Sequence, residues 1–273
     1  MDAIGYITLL ATDSYLPGVL VLQLCLARAG AKHALYVGVS AGVSDIARDQ
    51  LRAHGLAVIE LASVVLPGKV EQELSHWLHS FDKLKIFSLT GFRKLVYLDS
   101  DLLVLRNIDE LFSLPHMSTV CAGRKFPGND SWSGVNSGLM VVEPRTGLSE
   151  AMERLIPAVL ASGESVGDQD VIQAFYPWAQ LAALELGQGY NVFSIYLDYY
   201  IKNRDDALRG EPVRVIHFIG RKKPWMRSGA EMIKHCLRLV WAGKKWEAYY
   251  NLKYAAACWV VNWRAGRVGP VGR

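Results

Sequence analysis

The chain has 273 residues, of which 51% are hydrophobic and 21% charged; this balance excludes a disordered chain and is enough to bury a large α/β core. Net charge is +4 but uneven: residues 227–273 carry nine Lys/Arg against two Glu, so the preceding 226 residues sum to −3. The basic character therefore belongs to a tail that also holds four of the eight Trp, and with no recognised nucleic-acid motif it argues against a nucleic-acid partner.

Ile4–Ala11 reads as a buried strand, and Tyr15–Ala29 as a helix with Pro17 tolerated in its first turn. Residues 33–40 (HALYVGVS) read as a second strand, Ser44–His54 as a helix and Leu56–Leu61 as a third strand. Trp77–Thr90 reads as a helix and Lys94–Leu98 as the next strand. Strands alternating with helices at this spacing predict a parallel, doubly wound sheet, with ligands beyond the C-terminal strand ends. Thr12-Asp13 and Asp99-Ser100-Asp101 both fall on that edge. Beyond residue 110 the pattern is less regular. Residues 123–138 are Gly-, Ser- and Asn-rich loop, 138–144 (GLMVVEP) strand-like, Ser149–Ser162 and Gly167–Tyr176 helical, and 214–218 (RVIHF) a late strand.

No segment has the composition of a secretory signal, and no run of about 18 apolar residues suggests a membrane span. The four Cys (25, 121, 236, 258) have no C-x-x-C or zinc-finger spacing, which points to free thiols and a cytoplasmic location.

In the stretch LVYLDSDLLVL (95–105), an apolar run ends in two carboxylates and a second apolar run follows. Two like charges there need a neutralising partner. On an extended segment, alternate residues share a face, so Asp99 and Asp101 can converge on a hard divalent cation. The bland alternative is a solvated turn, and GDQD (167–170) holds a second D-x-D that reads simply as a helix start. In VIHFIGRKKPW (215–225), His217 can supply a third ligand and Lys223 a charge for a phosphate; the alternative is a core His before a basic loop. Phosphate-loop, dinucleotide-binding G-x-G-x-x-G and nucleophile-elbow motifs are absent.

Taken in order, LLATDSY (9–15), DKLKIFSL (82–89), VYLDSDLLVLRNIDELF (96–112), NSGLMVVEP (136–144), GDQDVI (167–172) and HFIGRKKPW (217–225) resemble glycosyltransferase family 8, the glycogenin-like retaining transferases. The resemblance covers about residues 4–226. It implies an α/β fold: a GT-A-type, Rossmann-like nucleotide-sugar-binding domain with a mixed central sheet over 1–226, and a helical basic, aromatic extension over 227–273. By position it implies Asp99, Asp101 and His217 as ligands of Mn²⁺, or of Mg²⁺. Leu9, Thr12 and Tyr15 would match the uridine pocket, Ser100 a main-chain nucleotide contact, and Gly220 and Lys223 the pyrophosphate loop. Lys83, Asn136, Ser137, Asp168 and Gln169 would match the donor-sugar and active-centre contacts. Ala11, Thr12 and Ser165 depart from glycogenins, which carry Thr, Asn and Asp there.

The resemblance implies transfer of a hexose, glucose or galactose, from a UDP-sugar to a glycan or glycolipid. Two alternatives stand beside it. One is a self-glucosylating primer using Tyr196, Tyr199 or Tyr200 of YNVFSIYLDYY (190–200); the other is a non-catalytic nucleotide-sugar-binding protein at a membrane surface. Residues 236–269 interleave Trp, Tyr and aliphatics with Lys and Arg, which suits peripheral contact with an anionic membrane on its cytoplasmic face or packing in a homodimer.

Overall fold

The computed structural model describes residues 3–64, 78–132, 134–162 and 167–265. Its strands are β1 (Ala3–Leu10), β2 (Leu35–Val39), β3 (Ala57–Glu60), β4 (Phe92–Leu98), β5 (Leu102–Val104), β6 (Thr119–Val120), β7 (Asn136–Val142), β8 (Val192–Phe193) and β9 (Val215–His217). The longer helices are α1 (Leu16–Arg28), α2 (Asp45–Ala53), α3 (Asp168–Phe175), α4 (Gly229–Trp241) and α5 (Lys245–Ala265).

A six-stranded sheet runs β3-β2-β1-β4-β7-β6. The first four strands are parallel, and β7 and β6 pair antiparallel. The central sheet is thus mixed, as the family resemblance implies, and the purely parallel sheet read from the strand–helix alternation is corrected. A parallel addition needs a crossover of about a dozen residues or more, usually helical. The described residues between β6 and β7 form turns and loop with no helix, and β7 runs antiparallel to both of its neighbours.

Period-2 alternation builds a core on each face of the sheet. Tyr6 and Leu10 of β1, Val96 and Leu98 of β4, and Leu139 and Val141 of β7 pack toward α1. Ile7 and Leu9, Leu95 and Tyr97, and Met140 and Val142 pack on the opposite face. Tyr254, Ala257, Cys258 and Val261 of α5 join the α1 side.

Two expected helices differ. The helix expected over 77–90 is a 3₁₀ segment, Leu78–Ser88, within the described residues; Trp77 lies outside them. Phe81, Leu84 and Phe87 are fully buried and recur every third residue, the spacing that a 3₁₀ turn eclipses on one face. Over 149–162 the chain forms two pieces, Leu148–Glu153 and Ile156–Leu160. Pro157 has no N–H to donate and sits in the first turn of the second.

A second sheet, β5-β9-β8, positions the site. After β4 the chain turns tightly through Asp99–Asp101, with Leu102 N–H donating to the Asp99 carbonyl at 3.2 Å. It then re-enters extended structure as β5, whose Leu102 pairs with His217 of β9. This register brings His217 alongside the two aspartates.

Candidate metal and donor site

Asp99, Asp101 and His217 each offer a ligand atom within 4.8 Å of the others. His217 Nε2 lies 3.2 Å from Asp101 Oδ1 and 3.8 Å from Asp99 Oδ2. Ladder bonds hold all three: Asp99 N–H donates to the Gly138 carbonyl at 2.8 Å and Phe218 N–H to the Asp101 carbonyl at 3.1 Å. Gly138 is required for space. A Cβ there would lie 2.7 Å from His217 Cε1 and 3.0 Å from Asp99 Oδ2. The cluster fits a hard divalent cation: two carboxylates and an imidazole converge on one gap, kept open by a glycine.

Two lysines reach the same aspartates. Lys223 Nζ donates to Asp101 Oδ2 at 2.5 Å and to the Phe218 carbonyl at 3.0 Å. Its loop turns at Gly220, whose φ of +100° favours glycine. Lys83 Nζ lies 3.1 Å from Asp99 Oδ1, 2.6 Å from Asp168 Oδ2 and 3.1 Å from Ser137 Oγ. Burial opposes the charge on Lys83, but Asp168 and Asp99 outweigh it and hold the ammonium above its ordinary range. Burial also opposes ionisation of Asp101, yet His217 and Lys223 keep its carboxyl well below the usual range. Asp99, Asp101 and Asp168 against two lysines leave the site one negative charge in excess when the imidazole is neutral.

The remaining expected residues extend this network. Ser137 Oγ donates to Asp168 Oδ2 at 2.8 Å, and Asn136 Nδ2 donates to Gln169 Oε1 at 3.2 Å. Ser100 is buried in the turn. Tyr15, half-buried, meets Trp225 edge-on at 5.6 Å, and Trp225 Nε1 donates to the Ser14 carbonyl at 2.8 Å. Thr12 shares a hydrogen bond with Ser14 at the end of β1. The Leu9 side chain belongs to the core, so it takes no part in the pocket expected at that strand end. Ser165 lies outside the described residues.

Sequence reasoning missed three participants. Asn191, fully buried one residue before β8, donates to Asn136 Oδ1 at 2.7 Å and touches His217 Nδ1 at 3.1 Å. Tyr97 donates its hydroxyl to Asp99 Oδ1 at 2.6 Å. Gly138 supplies space. Tyr97 and Gly138 were visible as a polar tip and a glycine in two apolar strands; no local signal marks Asn191.

Residues 6–229 match the model of glycosyl transferase family 8. The chain belongs to that family. Curated relatives include inositol phosphorylceramide glucuronosyltransferase 1 of Arabidopsis thaliana, 35% identical over 64% of this chain and 30% of that protein. Glycogenin-1 of Caenorhabditis elegans is 30% identical over 83% of this chain and 52% of its own length. The chain thus spans about a third to a half of these relatives. Among solved structures, the galactosyltransferase LgtC with donor and acceptor sugar analogs superposes with a TM-score of 0.62 at 17% identity, covering 94% of this chain and 96% of that one. That likeness establishes the GT-A fold for this family 8 chain.

Proposed function

We propose that this chain is a retaining, Mn²⁺-dependent hexosyltransferase that moves glucose or galactose from a UDP-sugar to a glycan or glycolipid. The observation that carries the reading is the convergence of Asp99, Asp101 and His217 beside Lys223. Asp99, Asp101 and His217 would hold the cation, with Mg²⁺ as the alternative ion. When bound, it supplies positive charge for a pyrophosphate leaving group. Lys223 binds the same phosphates as a point charge, and Tyr15 stacks on the base. Gly220 lets the 218–225 segment fold over the donor, and the closed segment excludes water. Ser137, Asp168 and Gln169 orient the donor sugar, and Lys83 fixes Asp168. Because Asp168 Oδ2 is engaged by both Lys83 and Ser137, an orienting role fits it better than that of an attacking nucleophile.

A second donor class is UDP-glucuronate, which the names of several relatives favour. The first of those names also carries a lipid acceptor. Self-glucosylation finds less support. Tyr200 is fully buried and donates to Gln188 Oε1 at 2.9 Å, and Tyr196 stacks on Phe126 at 4.0 Å. Both read as packing.

Peripheral membrane contact belongs to this proposal. No helix among the described residues is long and apolar enough to cross a membrane. On α4, Ile233, Leu237, Val240 and Trp241 are all exposed, Trp241 by 93%. At 100° per residue they form one stripe, with Lys234 and Arg238 along its rim. A stripe of this kind fits an anionic bilayer and a cytoplasmic-face location, with the four buried free thiols in a reducing compartment. A homodimer using the same face is the competing occupant.

The deciding experiment measures UDP release from UDP-glucose, UDP-galactose and UDP-glucuronate, with Mn²⁺ and with chelator, in the presence of lipid and glycan extracts. Metal-dependent release that Asp101→Asn abolishes supports the transferase. Absence of release alongside tight UDP binding supports the non-catalytic binder instead.

A further inference from the structure

We infer that Asn191 is a positioning residue. It holds His217 in the Nδ1–H tautomer so that Nε2 faces Asp99 and Asp101 as a cation ligand. The inference deepens the metal-site reading and rests on it for the role of Nε2. Which atom of an amide is oxygen, and which imidazole nitrogen carries hydrogen, follow from the hydrogen-bond network. Here the network is anchored on backbone donors, whose identity is fixed.

Gly138 N–H donates to one Asn136 side-chain atom at 3.0 Å, so that atom is Oδ1. Ser137 N–H donates to a Gln169 side-chain atom at 3.2 Å, so that atom is Oε1, and the Asn136 atom 3.2 Å from it must be Nδ2. Two backbone amides therefore orient Asn136 from opposite ends and agree. The Asn191 atom 2.7 Å from Asn136 Oδ1 must then be a donor, Nδ2. Its other atom is Oδ1, an acceptor, 3.1 Å from His217 Nδ1. Nδ1 must carry the hydrogen. Nε2 is left for the gap that it shares with Asp101 Oδ1 at 3.2 Å and Asp99 Oδ2 at 3.8 Å, where a bound cation would take its lone pair in place of a proton.

Reversing the imidazole would set a lone pair on Nδ1 against Asn191 Oδ1. Flipping Asn191 to accommodate it would set that oxygen against Asn136 Oδ1. Asn191 is fully buried, so water cannot satisfy either clash. Hydrogen-bond partners behind a metal-bound histidine set its orientation and basicity, and their loss typically lowers metal affinity about 10- to 100-fold. The same chain ends on Gln169 at the start of α3, so the cation ligand and the proposed sugar contacts share one hydrogen-bond relay.

The test compares Asn191→Leu with Asn191→Asp by Mn²⁺ titration, reading free Mn²⁺ by electron paramagnetic resonance without nucleotide, with melting temperatures alongside. Asn191→Leu should weaken Mn²⁺ binding about 10- to 100-fold. Asn191→Asp keeps an acceptor toward Nδ1 and should stay close to wild type in affinity, even where the oxygen it turns toward Asn136 lowers its melting temperature. Wild-type affinity in the leucine variant, or equal loss in both variants, overturns the inference. Independently of any metal, ¹⁵N-histidine spectra of the metal-free wild-type protein at alkaline pH report the tautomer. The Nδ1–H pattern at His217 supports the relay even if Mn²⁺ fails to bind wild type, which would sink the metal reading alone. The Nε2–H pattern overturns the relay whether or not the variants fold.

Discussion

Lys223 and Asp101, 122 residues apart, meet at 2.5 Å on the carboxylate oxygen Oδ2, while Oδ1 of the same group faces His217. An ammonium already draws on the carboxylate that a divalent cation would share. With a UDP-sugar bound, the phosphates would give Lys223 a second anionic partner and relieve that competition. Lys223→Met should tighten Mn²⁺ binding in the absence of nucleotide. It should also weaken UDP binding in its presence by about 10- to 100-fold, the worth of a charge-assisted hydrogen bond. Calorimetric titration of each ligand checks both signs. Weaker Mn²⁺ binding in the variant would mean that the lysine supports the metal site and does not compete with it.

Gly138 sits against the Asp99, Asp101 and His217 cluster. An alanine methyl there would lie 2.7 Å from His217 Cε1, 2.8 Å from Asn136 Oδ1 and 3.0 Å from Asp99 Oδ2. His217 is buried, Asn136 and Asp99 are half-buried, and all three are held by hydrogen bonds from behind, so the side chains themselves must shift. Gly138→Ala is expected to lower the melting temperature by an amount equivalent to about 1–3 kcal/mol of overpacking. It should also cut turnover by about a hundredfold through misplacement of the ligands. Metal-dependent UDP release at the wild-type rate would show that the cluster tolerates the displacement.

His116 makes a pH prediction away from the site. Glu143 N–H donates to its Nδ1 at 3.0 Å, so Nε2–H donates to the Tyr176 hydroxyl at 2.8 Å. Burial, with Arg145 adding repulsion, pushes its pKa down from 6.5 to about 4. Between those values the unfolded chain binds a proton that the folded chain excludes. Stability from this group is therefore complete above about pH 6.5 and lost as pH falls toward 4. Denaturant unfolding across that window should show a slope that His116→Gln flattens. An unchanged slope would place the titration elsewhere.

How much of this was legible in the sequence depended on the range of the interaction. The strand ending in Asp99-Ser100-Asp101 was readable because an apolar run met two carboxylates, and His217 and Lys223 because they fall in one short motif. The direction of β7 was not, since strand polarity is set by the path between strands and not by the strand's residues. Nor was the 3₁₀ form of 78–88, where buried Phe81, Leu84 and Phe87 recur at every third residue in a stretch read as a helix. Asn191 was least visible. A buried Asn beside a short strand looks like a turn residue, and its partners lie 26 and 55 positions away.

The exposed stripe of α4 supports the last prediction. Ile233, Leu237, Val240 and Trp241 leave α4 with a continuous apolar face, whereas Met232 and Cys236 on the opposite face pack against Ala248 of α5. Glu231 is already paired with Lys222 at 2.6 Å, and no ion pair occupies Lys234 or Arg238 among the described residues. Apolar contact and attraction to anionic headgroups should therefore act together. Flotation with phosphatidylglycerol vesicles should recover the wild-type chain, and pure phosphatidylcholine should recover much less, each basic residue near the surface contributing about 1 kcal/mol. Leu237→Ser and Trp241→Ser should each weaken vesicle binding by about 10-fold or more, from the transfer free energy of one large side chain. Neither should alter the melting temperature, because neither side chain touches the core. If both variants float as wild type does, the stripe is not the membrane contact. If instead they convert a dimer to a monomer in sedimentation, a second copy of the chain covers this face.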